Sequence, residues 1–428
     1  MSSLLNLPDD PLLHILSFLD CKDLCSCCCT CHRLHDLGTV DYLWRRHCQF
    51  YWLVKSCPEG IGWYELFWNW YKDWGQYAAV YRKIRKAWDQ IEAFLQVHSP
   101  EVSLTRGVTE DFLEKAELKL GHSLPSDFRC SLRIHDGQCT FPGSPGLFGM
   151  RPDFHSYVVD EFLVSFREAM DCRDPDDTEP GAVLLTMVGL TFKLDGHFLA
   201  LTDEFGMDRG QVYYPLLRDG KDNEDDYSDN NSDSVEHRIC DSFISANSFM
   251  EFLCNHAQNL EDKRYHISPE GTVHRFYQEP SCVAYTGYIS VRVATCFLPD
   301  ASSVYPDTSF HYAYRITMAM SAIAPDSESC VLETRHWTIT DADGNEQKVE
   351  GPGVVGTYPQ MTPGEEYSWE SSTSFKTSYG TMHGYFTMFK FDDGTTFHVE
   401  CPMFHLKCLP YITHEEKEAK LKHMKKTN

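Results

Sequence analysis

Apolar residues recur at steps of three and four from the N-terminus to about residue 95, and beyond residue 264 they alternate strictly, so the chain predicts a helical front and a β-rich rear. Leu12, Ile15, Leu16 and Leu19 form the first stripe. Pro8, Asp9 and Asp10 suit the helical turn before it, where a missing N–H is harmless and carboxylates complement the dipole. Asp20 is placed to cap a second helix with Leu24, Cys27, Cys28, Cys31 and Leu34 on one side, and Asp41 precedes a short third segment carrying Leu43 and Trp44. Three helices this short cannot close a core alone. A partner or the following chain must cover them.

A longer stripe follows at Trp63, Phe67, Trp70, Trp74, Tyr77, Tyr81, Ile84, Trp88, Ile91 and Leu95. Unbroken, it would make a helix about 50 Å long, but Gly75 is a natural point of division. At this spacing the aromatics read as the seam of a structural spacer (51–100), which directs the later domains, before they read as a ligand site. A second unit starts near residue 104: Thr109 caps a helix that stops at Gly121, and LPSDFRCSLRIHDGQ (124–138) predicts a Pro-initiated helix ending at Gly137. Strands are indicated over 183–192, 197–202 and 211–217. The span 219–236 holds eight acidic residues and one lysine among Ser and Asn, so it reads as a loop, in which Ser228, Ser232 and Ser234 lie in acidic surroundings. Later pairs such as Val291 with Val293, Tyr312 with Tyr314 and Trp337 with Ile339, punctuated by Asp343-Gly344-Asn345, Pro363-Gly364 and Asp393-Gly394, predict a β-sandwich.

Composition narrows the function classes. The 428 residues suggest two or three domains, and 42% hydrophobic with 24% charged residues describes globular protein. The formal charge of −25 argues against nucleic acid, whose binding needs Lys and Arg to displace counterions. No run of eighteen apolar residues argues for a membrane, and Asp9 and Asp10 stand where a signal peptide needs a basic start. Cytoplasm and nucleus are the expected locations, with the 18 cysteines as thiols.

The order Leu7-Pro8, Leu12, Ile15, Leu19, Asp23-Leu24, Cys31-His32-Arg33-Leu34 and Leu43-Trp44-Arg45 resembles the F-box over residues 4–50. The resemblance implies docking on Skp1 through Leu7, Pro8, Leu12, Ile15, Leu16, Leu19, Leu24 and Trp44, and through Skp1 on the cullin-1 scaffold and RING subunit of an SCF ubiquitin ligase. Leu124, Pro125, Phe128, Ile134, His135, Asp136 and Gly137, with the strands after them, resemble the SUKH (Smi1/Knr4-like) superfamily, implying an α+β interaction module over 104–260. YRITMAMS from Tyr314, RHWTITDADG from Arg335, GPGVVGTYPQMTPGEEY from Gly351 and YGTMHGYFTM from Tyr379 resemble the ApaG domain, implying a fibronectin III or immunoglobulin-like sandwich over 275–408. Residues 409–428 remain as a charged tail. The fold class is thus multidomain: helical F-box and spacer, α+β SUKH-like domain, all-β sandwich.

Three arrangements invite chemistry. Adjacent His135 and Asp136 would point about 100° apart on a helix, and no nucleophile is placed near them. Cys25, Cys28 and Cys31, with Cys21, Cys27 and Cys29 between, have zinc-like intervals, but thiols wrapping one helix cannot all converge on a tetrahedral ion. The run 351–356 satisfies G-x-G-x-x-G, yet Tyr358, Pro359 and Pro363 follow where a dinucleotide site needs a helix. The expectation is a non-catalytic substrate receptor without cofactor or metal, offering loops around Asp341, Asp343, Gly351, Gly353 and Gly356 to protein substrates. The alternative is a phosphate- or nucleotide-binding sensor or enzyme acting through the ApaG loop.

Overall fold

The computed structural model describes every residue except 1–5, 142, 153–157, 172–180, 190–195, 204–205, 217–240, 269–270, 306 and 428; the acidic span 219–236 thus lies outside the described residues. Four helices, α1 (Asp9–Leu16), α2 (Cys21–Cys28), α3 (His32–Gly38) and α4 (Asp41–Trp52), replace the expected three. The expected second helix is cut because the Thr30 amide and hydroxyl both donate to the Cys27 carbonyl (3.0 and 2.7 Å) while Cys31 is extended at φ −159°. Gly38 at the end of α3 lets the two helices approach closely: a Cβ there would lie 2.3 Å from the Cys28 Sγ, which would have to turn away.

The aromatic stripe divides at Gly75, where a 3₁₀ turn (Gly75–Tyr77) separates α5 (Trp63–Trp74) from α6 (Tyr81–His98). Phe67, Tyr77, Tyr81, Ile84, Trp88, Ile91 and Leu95 are buried, in one core that runs from Trp44 to Phe128 and Leu253. Polar contacts fix the same seam. Trp88 Nε1 donates to Ser131 Oγ (2.9 Å), Tyr77 donates to Glu110 (2.7 Å) and Arg133 reaches back to Asp73 (2.9 Å).

The middle unit comprises β1 (Leu104–Arg106), α7 (Glu110–Leu120), α8 (Ser126–Ile134), β2 (His135–Gln138), β3 (Met150–Pro152), β4 (Val158–Leu163), α9 (Phe166–Asp171), β5 (Ala182–Leu184), β6 (Thr186–Val188), β7 (Phe198–Ala200), β8 (Val212–Pro215), β9 (Ser242–Ala246) and α10 (Phe249–Glu261). Thr109 caps α7 and a left-handed Gly121 ends it. α8 stops at Ile134, not Gly137, because His135–Gln138 pairs antiparallel with β1. A long-range ladder overrides the local helix pattern there.

After β10 (Tyr265–Ile267), the sandwich sets β11 (Val273–Thr286), β12 (Ile289–Ser303), β13 (Ser309–Met320) and β17 (Glu366–Phe375) in one sheet. β14 (Cys330–Asp341), β15 (Glu346–Pro352), β16 (Gln360–Met361), β18 (Tyr379–Lys390) and β19 (Thr396–Lys407) form the other. The two sheets enclose a core that includes Ile316, Met318, Leu332, Phe386 and Val399. β3 pairs parallel with β11, so the first sheet continues into the middle unit. At that junction the fully buried Glu161 accepts from Thr186 Oγ1 (2.6 Å), contacts His197 Nδ1 (2.7 Å) and pairs with Arg275 of β11. Burial would raise its carboxyl, but Arg275 above all, with His197, holds it well below the usual range.

Residues 409–428 are more than a charged tail. β20 (Tyr411–Ile412) adds to β9, and α11 (His414–Thr427) buries Lys417, whose Nζ donates to Ser242 (2.8 Å). The chain thereby returns to the middle unit after completing the sandwich. No helix among the described residues is long and apolar enough to cross a membrane.

Candidate functional site

At the N-terminus, α1 is apolar on two faces. Leu12 and Leu16 point inward and are buried (0% and 3% exposed), while Pro8, Pro11, Ile15 and Phe18 follow one another at steps of three, four and three and are exposed. Ile15 is 39% and Phe18 71% exposed. Such an outward stripe leaves apolar area in water that no part of the described chain covers. Arg33 fixes the start of the helix by donating to the Leu7 carbonyl and to Asp9 (both 2.7 Å), and Arg46 donates to the Leu19 carbonyl (2.5 Å).

Burial divides the expected contact set. Leu12, Leu16, Leu24 and Trp44 belong to the protein's own core, because α1 to α5 close on one another: Trp44 Nε1 donates to the Gly38 carbonyl (2.8 Å), and its ring packs on Tyr64 and Phe67 at 5.1 and 4.8 Å. Pro8 and Ile15 are at the surface, and Leu7 and Leu19 are half-buried. Pro11 and Phe18, outside the expected set, are exposed beside them. Their signal was the second phase of the same helical period, offset from the leucine stripe. On α4, burial foremost and Arg46 beside it push the His47 imidazole down to about 4.

The cysteines of α2 line a helix that packs on α3. Burial pushes the Cys25 thiol up to about 11 and also raises Cys28, the neutral state that suits packing. His135 and Asp136 are likewise structural: His135 Nε2 lies 2.6 Å from Glu92, and the buried Asp136 accepts from the Phe166 amide (2.7 Å) at the start of α9.

In the sandwich, the expected loops separate. Asp341 closes its own turn, accepting from the Asp343 and Asn345 amides (3.0 and 2.9 Å) and from the Asn345 side chain (2.9 Å); these bonds, the Asn345 side chain first, hold its carboxyl below the usual range. Gly351 lies on β15 against the Arg335 guanidinium. Gly353 and Gly356 sit at φ +54° and +74°, as tight loop glycines do. The Gly353 amide donates to Glu333, Val354 and Thr357 bond each other reciprocally at 2.9 Å, and Arg335 donates to the carbonyls of Pro352 and Gly353 (2.9 and 2.8 Å). Three loop amides are therefore committed, which weakens the phosphate-cradle alternative. The loop instead walls a cleft of about 810 Å³ through Val354, Val355 and Thr357; Asp341 and Asp343 do not reach it.

Comparison with known proteins assigns each region. Residues 4–50 match the F-box-like family, 107–255 the SMI1/KNR4 family (SUKH-1) and 300–390 the ApaG domain. F-box only protein 3 of Homo sapiens is 35% identical over 416 residues, covering 94% of this chain and 83% of its own. F-box protein SKIP16 of Arabidopsis thaliana is 27% identical over 369 residues, 77% of this chain and 80% of its own. Protein ApaG of Acidithiobacillus ferrooxidans is 40% identical over 119 residues, 28% of this chain and 88% of its own.

Proposed function

This chain belongs to the family of F-box only protein 3, and on that premise we propose that it is the substrate-recognition subunit of an SCF ubiquitin ligase. The observation that carries this reading is the exposed stripe of Pro8, Pro11, Ile15 and Phe18, which runs along α1 and its two flanking residues while the other face of the helix is already packed. Skp1 covers that stripe and connects the chain to cullin-1 and the RING subunit. Association costs at least about 4 kcal/mol, whereas one apolar side chain contributes roughly 1.5–3 kcal/mol, so several anchors must act together.

The rest of the chain supports presentation. The core running from Trp44 through Trp88 to Leu253, and the buried Glu161 junction, fix the sandwich relative to the docking helix. A recruited protein held on the SUKH-like or ApaG unit presents its lysine to a ubiquitin-charged enzyme supplied by other subunits, so catalysis is proximity and this chain contributes no reacting group. Degradation of the target follows, in cytoplasm or nucleus.

Affinity capture with the full chain and with a chain lacking residues 1–50, followed by mass spectrometry, tests the reading. Skp1, cullin-1 and the RING subunit are expected only with the full chain, and target proteins with both. Ligase subunits captured equally well without residues 1–50 overturn it.

A further inference from the structure

β17 is an open edge. It pairs with β13 in unbroken register over ten residues, from Ala319 opposite Glu366 to Phe310 opposite Phe375, and among the described residues no strand pairs with its other side. In an antiparallel ladder about half of these residues direct both N–H and C=O away from the neighbour. Proteins normally blunt such edges with Lys, Pro, bulges or projecting charges. β17 has none of the first three, and its carboxylates are drawn onto the sheet face, Glu366 by Arg292 (2.6 Å) and Glu370 by Arg315 (2.8 Å). The outer strand of the facing sheet is blunted: β15 exposes Glu346, Lys348 and Glu350 and ends in Pro352.

The cleft of about 810 Å³ straddles this edge. Trp337, Tyr367 and Trp369 line it on the core side, and Arg315, Ser368 and Ser372 on the outer side. Its far wall is the loop at Val355, tied to β17 by the hydrogen bond between Thr357 Oγ1 and the Tyr367 hydroxyl (2.9 Å). Val355 is held at φ +48°, a conformation that a β-branched residue rarely adopts, yet its side chain is 66% exposed. The reciprocal Val354–Thr357 bonds close a two-residue turn in which Val355 and Gly356 both take positive φ, and the turn holds the apolar Val355 side chain out at the rim of the cleft.

We infer that an extended segment of a recruited protein adds as a further strand to the free edge of β17, placing alternate side chains in the two halves of the cleft. The identity of the guest as a recruited protein rests on the receptor reading above. From Tyr367 to Ser372 the edge runs roughly 20 Å at about 3.3 Å per residue, the length of a six-residue segment. The guest is apolar at every second position, facing Trp337 and Trp369, neutral and polar between, and free of proline where it donates. A second copy of this chain fits poorly. Its β17 edge is recessed beside the same loop, and two recesses cannot meet at strand spacing.

A phage-displayed random hexapeptide library panned on the full chain tests this. Enriched sequences are expected to alternate apolar and polar residues and to lack proline. N-methylation of alternate backbone amides in one of the two phases is expected to weaken the best peptide by at least about tenfold. Ser372→Lys, a guard charge on an exposed position, abolishes binding, and Val355→Gly weakens it while leaving or raising the thermal midpoint. No enrichment, patternless enrichment or indifference to N-methylation overturns the proposal. So does a chain dimer that Ser372→Lys dissolves, which would assign the edge to self-association. Skp1 capture measured on the same preparations separates the two readings: peptide failure with intact capture sinks only the edge site, and capture failure with intact peptide binding sinks only the receptor role.

Discussion

Replacing Ile15 and Phe18 together by alanine isolates docking from folding. Full burial of such a side chain is worth about 1.5–3 kcal/mol. Phe18 is 71% exposed, so a partner that covers it gains about 1–2 kcal/mol, and Ile15 at 39% adds roughly 0.6–1.2 kcal/mol. The double variant should therefore lose about 2–3 kcal/mol of Skp1 affinity, roughly 30- to 150-fold, while its thermal midpoint falls less than that of a variant truncated in the core, because Phe18 is mostly exposed and the chain covers Ile15 only in part. Leu12→Ala is the contrast. Leu12 is fully buried, so truncation costs about 2–5 kcal/mol of stability. Titration calorimetry against Skp1, paired with thermal unfolding of each variant, reads both quantities. A double variant that binds Skp1 within about twofold of the parent, given a predicted loss above tenfold, refutes the assignment of this face.

Changing Leu7 and Pro8 together to alanine should also reduce Skp1 capture with the later domains still folded, checked by pull-down alongside circular dichroism. Glu161→Gln removes the one carboxylate shared by His197 and Arg275, and breaking a buried pair should cost about 3–5 kcal/mol in urea unfolding. Acid should destabilise the chain in two stages. Burial holds His47 and His256 down to about 4 and about 3, so the unfolded state takes up protons first as pH falls below about 6.5, and at pH 5 each site has lost about 2 kcal/mol of the stability present at neutral pH. Glu161, depressed in the fold, adds its loss only below the ordinary carboxylate range, and denaturant titrations at pH 7.5, 5 and 4 check the order. Deleting residues 409–428 strips β9 of β20, one of its two partner strands, and uncovers Ser242 and Tyr213, so lower thermal stability is expected.

Periodicity made the elements legible wherever local pattern and tertiary packing agree. The stripe from Trp63 to Leu95, its division at Gly75, the cap at Thr109 and the stop at Gly121 could all be read from spacing. His135 could not, because β2 is created by pairing with β1 some thirty residues away. At the first helix, the leucines marked the helix but not which of its faces stays exposed. A stripe reports which residues are apolar, and only the packed structure shows that Leu12 and Leu16 are consumed while Ile15 and Phe18 remain. Glu161, His197 and Arg275 are far apart in the chain with no pattern linking them, so their junction appears only in three dimensions.

Sedimentation velocity on purified full chain mixed with purified Skp1 tests the docking claim without any substitution. A one-to-one complex heavier than either protein should form at concentrations on the order of 10 μM, where even a micromolar affinity is visible. Two species sedimenting independently under those conditions contradict the account.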